Sequence, residues 1–246
     1  MRKIMLLTTI VVVMVVVNSS CFGCAFASLK HGSKTAPDSL NSPYIIKSDK
    51  NGEYHCRRNG TPLYKNRFWK VDPFQEGVAC VQDKESKKFL YIDTSGKMVS
   101  KQKYVMAHDF VGGYAVVRDD RGEFHINLKN WKALSDRRFY KARDFHEGLA
   151  AVSNEDEDWF FEDTLGTLLK KKYASVSDFH EGIALVEDEQ TGKFFYADKK
   201  EKPICENQYD EATDFVNDTA TAKDGRVKVL LILKKDKTIE TLAIKK

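Results

Sequence analysis

The sequence predicts an all-β protein, an array of about five β-hairpin repeats of 34–36 residues behind an N-terminal signal peptide. Three observations carry this. Short strand-like apolar clusters alternate with turn residues along the body, without a long stretch of helical periodicity. One pattern recurs as FQEGVACV, FVGGYAVV, FHEGLAAV, FHEGIALV and FVNDTATA, whose leading residues Phe74, Phe110, Phe145, Phe179 and Phe215 are 36, 35, 34 and 36 apart. The N-terminus carries the three regions of a secretory signal.

The signal begins with Arg2 and Lys3, continues through the apolar stretch Ile4 to Val17, and reaches the small-x-small pattern Ala25-Phe26-Ala27. A run of 14 residues is shorter than the roughly 20 that cross a bilayer as a helix. Cleavage after Ala27, lipidation at Cys21 behind Ser19 and Ser20, and a retained N-terminal anchor are three open alternatives. Each places the folded part outside the cytoplasm, in the periplasm, at the cell surface or beyond it, with the membrane touched only through the lipid or anchor. Residues 28–43 are rich in Ser, Pro, Asn and Lys and poor in large apolar side chains, so they read as a flexible tether. The repeat domain spans 44–246.

Within that domain four columns coincide. An aromatic stands six residues before each repeat phenylalanine: Phe68, Tyr104, Phe139, Tyr173 and Tyr209. A small aliphatic stands three before, and an alanine five after: Ala79, Ala115, Ala150, Ala184 and Ala220. Gly77, Gly113, Gly148 and Gly182, with Asp218 last, sit where the chain turns into a strand and positive φ is needed. An alanine kept small in every copy implies close packing from a neighbouring unit. Second strands are expected at Phe89 to Asp93, Phe124 to Asn127, Trp159 to Asp163, Phe194 to Asp198 and Val229 to Leu233. One hairpin is marginal in water, so stacked neighbours must supply the core. Residues Glu53 to Pro62 read as the back half of a further copy whose front half is missing. An open, solenoid-like stack is favoured over a closed, propeller-like ring, because a four-stranded blade takes about 40–45 residues.

Composition narrows function. Removing residues 1–27 leaves 38 basic and 36 acidic residues, a balance that gives no electrostatic case for nucleic acid. Cys56, Cys80 and Cys205 remain, allowing one internal disulfide at most, and no Cys-x-x-Cys pair survives to bind zinc.

The aromatic, the Asp-Phe-x-Glu-Gly turn, the alanine strand, and an aromatic strand ending in Asp before a Gly-Lys turn resemble the bacterial WG-repeat family. Phe74-Gln75-Glu76-Gly77 through Tyr91-Ile92-Asp93 to Gly96-Lys97 shows the pattern best, and the likeness covers about 53–246. Phe89-Leu90, Trp159-Phe160 and Phe194-Phe195 replace the namesake Trp-Gly dipeptide. The resemblance implies a β-repeat scaffold, often exported, and no particular reaction.

Two constellations could carry chemistry. His146-Glu147 and His180-Glu181 put imidazole beside carboxylate, but Gln75-Glu76 and Val216-Asn217 fill the same positions, so the histidine reads as a variable turn residue. Asp109, Asp144, Asp178 and Asp214 precede the phenylalanine in four copies, where local amide capping is the expected role rather than a calcium ladder. No nucleophile elbow, phosphate loop or metal-binding helix motif occurs. The expectation is an exported, non-enzymatic binding or scaffold protein without cofactor or metal, taking a protein or glycan partner through the aromatics Trp69, Tyr114, Trp131 and Trp159. The alternatives are an envelope hydrolase or metal-dependent enzyme using the His-Glu turns, and a surface spacer.

Overall fold

The computed structural model describes residues 42–243, so the signal peptide, Cys21 and tether residues 28–41 lie outside the described residues. The described residues form strands, turns and bends only. The first unit holds β1 (Tyr44–Asp49) and β2 (Gly52–Arg57). The second holds β3 (Lys70–Val71), β4 (Val78–Gln82) and β5 (Phe89–Asp93), and the third β6 (Met106–Ala107), β7 (Tyr114–Asp119) and β8 (Gly122–Asn127). The fourth holds β9 (Lys141–Ala142), β10 (Leu149–Ser153) and β11 (Trp159–Asp163), and the fifth β12 (Tyr173–Val176), β13 (Ile183–Asp188) and β14 (Phe194–Asp198). The last holds β15 (Glu211–Ala212), β16 (Thr219–Asp224), β17 (Val227–Leu233) and β18 (Ile239–Ala243).

The expected second strands are present at β5, β8, β11, β14 and β17, and the short leading strands and β18 are additions. The first unit is also fuller than a back half. β1 pairs with β2 along its whole length, from Tyr44↔Arg57 to Asp49↔Gly52. Among the described residues no leading strand or phenylalanine turn precedes it.

The pattern Phe-x-Glu-Gly forms a tight hairpin. Gln75 and Val78 exchange two backbone hydrogen bonds of 2.8 and 3.0 Å, with Glu76 at φ 50° and Gly77 at φ 85° between them. Two consecutive left-handed residues define a type I′ turn, whose twist matches the strands it joins. The same exchange recurs at Val111 with Tyr114, His146 with Leu149, His180 with Ile183 and Val216 with Thr219. Glycine suits the second turn position in four copies, and Asp218 takes it in the last at φ 60°.

Each leading aromatic is shared between units. Phe68 exchanges backbone bonds with Glu53 of the preceding unit, while the next residue, Trp69, donates to Gln82 of its own. Tyr104 does the same with Phe89, Phe139 with Glu123, and Tyr209 with Phe194, and Tyr173 faces Trp159. The sheets therefore join into one antiparallel meander in chain order. Among the described residues β1 and β18 each pair with one neighbour only, so the meander is open.

The core is a ladder of ring pairs along this meander. Phe74 packs on His55 at 4.2 Å, Phe110 on Tyr91 at 4.9 Å, Phe145 on His125 at 4.6 Å, Phe179 on Phe161 at 4.7 Å and Phe215 on Tyr196 at 4.8 Å. Each such contact adds about 0.5–1.5 kcal/mol to the burial itself. The repeated alanines are fully buried beneath these rings, as their size requires. The polar rungs anchor to the next unit's backbone. Tyr91 Oη donates to the His108 carbonyl, Tyr196 Oη to Thr213, and Nε2 of His55 and His125 to Asp72 and Arg143.

Candidate functional site

The exposed surface is what remains after the units have satisfied one another. The residue before each leading aromatic is a cation in four copies. Arg67 pairs with Asp49 at 2.7 Å, Lys103 with Asp83 at 3.5 Å, Arg138 with Asp119 at 2.8 Å and Lys172 with Asp158 at 3.4 Å, each across a unit boundary. Arg67 and Arg138 also lie 3.6 Å over the rings of Tyr54 and Phe124. These cations are engaged with the protein itself and form no open anion-binding stripe.

The glutamates of the type I′ turns work similarly. Glu76 Oε2 accepts from the Gly113 amide at 2.8 Å, and Glu147 Oε2 from Gly182 at 2.8 Å. Lys199 then binds Glu147 at 2.9 Å, which with the Gly182 amide overcomes the effect of burial and holds the carboxyl below its usual range. Imidazole and carboxylate thus diverge in the fourth unit, where His146 lies 3.7 Å from Asp178 while Glu147 serves the next turn. In the fifth, His180 and Glu181 approach to 3.9 Å on an exposed turn. Among the described residues no group of three or more His, Cys, Asp or Glu is placed to hold a metal ion. Cys56 and Cys80 are buried free thiols, Cys205 is half-buried and free, and burial pushes the Cys80 thiol well up.

The aspartate column departs from the expected amide capping. Asp178 accepts from the Arg143 guanidinium at 3.4 Å, reaching across the unit boundary, and Asp144 lies 3.8 Å from His108. Asp109 is partly buried next to Asp72 and Asp144, so desolvation and then the neighbouring negative charges push its carboxyl up to about 6. The Gln75-type exchange closes each turn on its own backbone, and the Gly113 and Gly182 amides go to Glu76 and Glu147 of the preceding unit rather than to the column. Amide capping falls instead to the aspartates at the strand ends: Asp93 Oδ1 accepts from Ser95 and Lys97, and Asp163 and Asp198 repeat this.

Of the four aromatics singled out in the sequence, Trp69 is 60% exposed. Tyr114 leans on Phe145 at 4.8 Å, Trp131 on Tyr91 and Phe110 at 5.6 and 5.3 Å, and Trp159 lies under the Arg143 guanidinium at 4.4 Å. The structure does not bring these four together. It instead leaves Trp69, Val105, 44% exposed, and Tyr140, 49% exposed, at the equivalent position of three successive units. All three immediately follow a shared aromatic, and their side chains point away from the face that buries it. Ala174 and Asp210 continue the column. The signal was present in the sequence as a fifth column, one residue after the leading aromatic.

The fold and this surface define an all-β repeat protein. Residues 91–121, from β5 through β7, match the WG containing repeat, consistent with a member of the WG-repeat family. No curated protein matches the chain. Among solved structures it is similar to Kluyveromyces lactis Hsv2, at 9% identity, TM-score 0.47 and 83% of each chain covered. It is also similar to the computationally designed Ika8 protein, at 11% identity and TM-score 0.41 over 82% of this chain and 81% of that one. The N-terminal domain of Nup159 follows at 9% identity and TM-score 0.39, over 71% of this chain and 60% of that one.

Proposed function

We propose that this chain is an exported, non-enzymatic binding and scaffold protein whose contact surface is the row Trp69, Val105 and Tyr140. The observation that carries the reading is the alignment of three large apolar side chains, each more than two-fifths exposed, at one position of three consecutive units. Scattered exposed apolars are ordinary, whereas the same position left exposed and apolar in successive units offers a repeated contact. Lys87 stands 3.4 Å over the Trp69 ring and Lys141 5.6 Å from that of Tyr140, so a partner surface bearing carboxylates suits the row. The partner is a protein or a glycan, and the N-terminal signal delivers the array to the envelope or exterior.

The test is crosslinking in the host, affinity capture and mass spectrometry of the unaltered chain and of the double variant Trp69→Ala/Tyr140→Ala. The variant is expected to lose the principal captured partner while keeping its far-ultraviolet spectrum. Recovery of the same partner in the same amount would sink the assignment of the row. The N-terminal peptide from the same sample distinguishes cleavage, lipidation and a retained anchor.

A further inference from the structure

We infer that two copies of this chain associate through β18, edge to edge and antiparallel, about a two-fold axis at Thr241. β18 pairs with β17 without interruption from Val229↔Ala243 to Leu233↔Ile239, which among the described residues leaves a regular five-residue ladder with one unpaired side. Such an edge is a template for another strand unless the sequence defends it with lysine, proline or a bulge. The other open edge is defended: β1 follows Pro43 and carries an exposed Lys47 at its middle. β18 reads Ile-Glu-Thr-Leu-Ala, with no lysine, proline or bulge. Its one charge, Glu240, is already paired with Lys234 inside the hairpin.

The register follows from the pleat. A two-fold axis perpendicular to the sheet keeps each face continuous only if paired positions share parity, and centring on Thr241 satisfies this. Thr241 then meets its own copy, a favourable cross-strand pair, Ile239 meets Ala243, and Glu240 meets Leu242, so no like charges oppose one another within the strand. The faces agree as well. Leu242, 43% exposed, stands opposite the half-buried Leu230, the position that Tyr91 and Tyr196 hold in earlier units. Pairing extends the meander of the described residues across both copies.

The chain as recovered from its host, examined by light scattering on a sizing column, is expected to run at twice the mass of one chain. Thr241→Lys places two cations face to face and is expected to give single chains, as is Thr241→Glu. An equimolar mixture of the two variants should recover the double mass. Single chains for the unaltered protein would overturn the inference, as would a Thr241→Lys variant that stays paired or a mixture that fails to re-pair. Should the charged variants unfold by circular dichroism, Thr241→Cys replaces them. A disulfide-linked dimer under mild oxidation, absent from the unaltered chain, supports the register, and its absence refutes it.

Discussion

Replacing Glu162 by isoleucine breaks a joint between the third and fourth units whose cost the structure allows to be worked out. His125 and Glu162 are both about 1% exposed or less at the side chain, with Nδ1 and Oε2 2.7 Å apart. The Arg143 carbonyl can only accept, so His125 Nε2 at 2.8 Å must donate to it. Nδ1 therefore shares the remaining proton with Glu162, which also accepts from Ser135 Oγ at 3.3 Å. Removing one member of such a pair costs about 3–5 kcal/mol, because the other stays buried without its partner. One boundary earlier the same two columns hold Tyr91 and Ile126 in a single apolar cluster. The double variant His125→Tyr/Glu162→Ile copies that joint, its phenol reaching the Arg143 carbonyl as Tyr91 reaches His108. It is expected within about 1 kcal/mol of the parent, since apolar replacement of a buried pair is often near neutral. Urea unfolding followed by tryptophan fluorescence measures both variants, and a loss of about 4 kcal/mol corresponds to roughly 8–16 °C in melting temperature for a chain of this size. If the double variant is as destabilised as the two single variants added together, the pair is not a coupled joint and the reasoning fails.

Further predictions concern the turns, the aspartate column and the surface row. Asp109 has a raised folded pKa, so the native state binds its proton more tightly than the unfolded chain. Its effect on stability is absent below about 4 and grows into a full penalty above about 6. Asp109→Asn should therefore add about 1 kcal/mol at pH 7, after discounting for partial exposure, and nothing at pH 4; an equal gain at both pH values contradicts this. Gly166→Ala forces a Cβ to 2.5 Å from the Leu134 carbonyl oxygen at φ 78° and should lower stability by about 2–3 kcal/mol in the same unfolding assay, whereas no loss would show that the turn yields. Trp69→Ala, at an exposed position, should change stability by no more than about 0.5 kcal/mol, and a larger loss would make that tryptophan a packing residue. His146→Gln/His180→Gln should leave bound metal unchanged by elemental analysis, and a drop would revive the His-Glu turns as ligands.

Much of the architecture was legible because the repeat phenylalanines, glycines and alanines each do one mechanical task in every copy. The rings stack, the glycines take left-handed turns and the alanines admit the rings. What escaped the sequence was whatever depends on the neighbouring unit. The leading strands hold two residues in four units, too few to show alternation, and they exist because the shared aromatic bonds to both sides. The aspartate column looked like local capping, yet Asp178 and Asp144 face Arg143 and His108 of the preceding unit, and turn amides such as Gly113 and Gly182 go to glutamates there. Which of the candidate aromatics are exposed depends on the neighbours, and Trp131 and Trp159 are half-buried, one against Tyr91 and the other beneath Arg143. At Glu201 a residue other than glycine holds the left-handed position at φ 61°, and its buried carboxylate binds the amides of Lys170 and Lys171 at 3.0 and 3.1 Å. No column in the alignment announces that exchange.

The shared aromatic strand also decides how the array would respond to force. Tension between the two ends loads a consecutive antiparallel meander by peeling, one strand after the next, rather than by shearing many hydrogen bonds together. Cys56, Cys80 and Cys205 are free thiols, so no covalent clamp interrupts the process. Each unit of 34–36 residues releases roughly 120 Å of chain as it opens. A single-molecule pulling trace should therefore show small, evenly spaced extensions at low force. Such a chain would act as an extensible cord that lengthens in steps while the remaining units stay folded, the inner units opening after the outer ones whatever their boundaries hold.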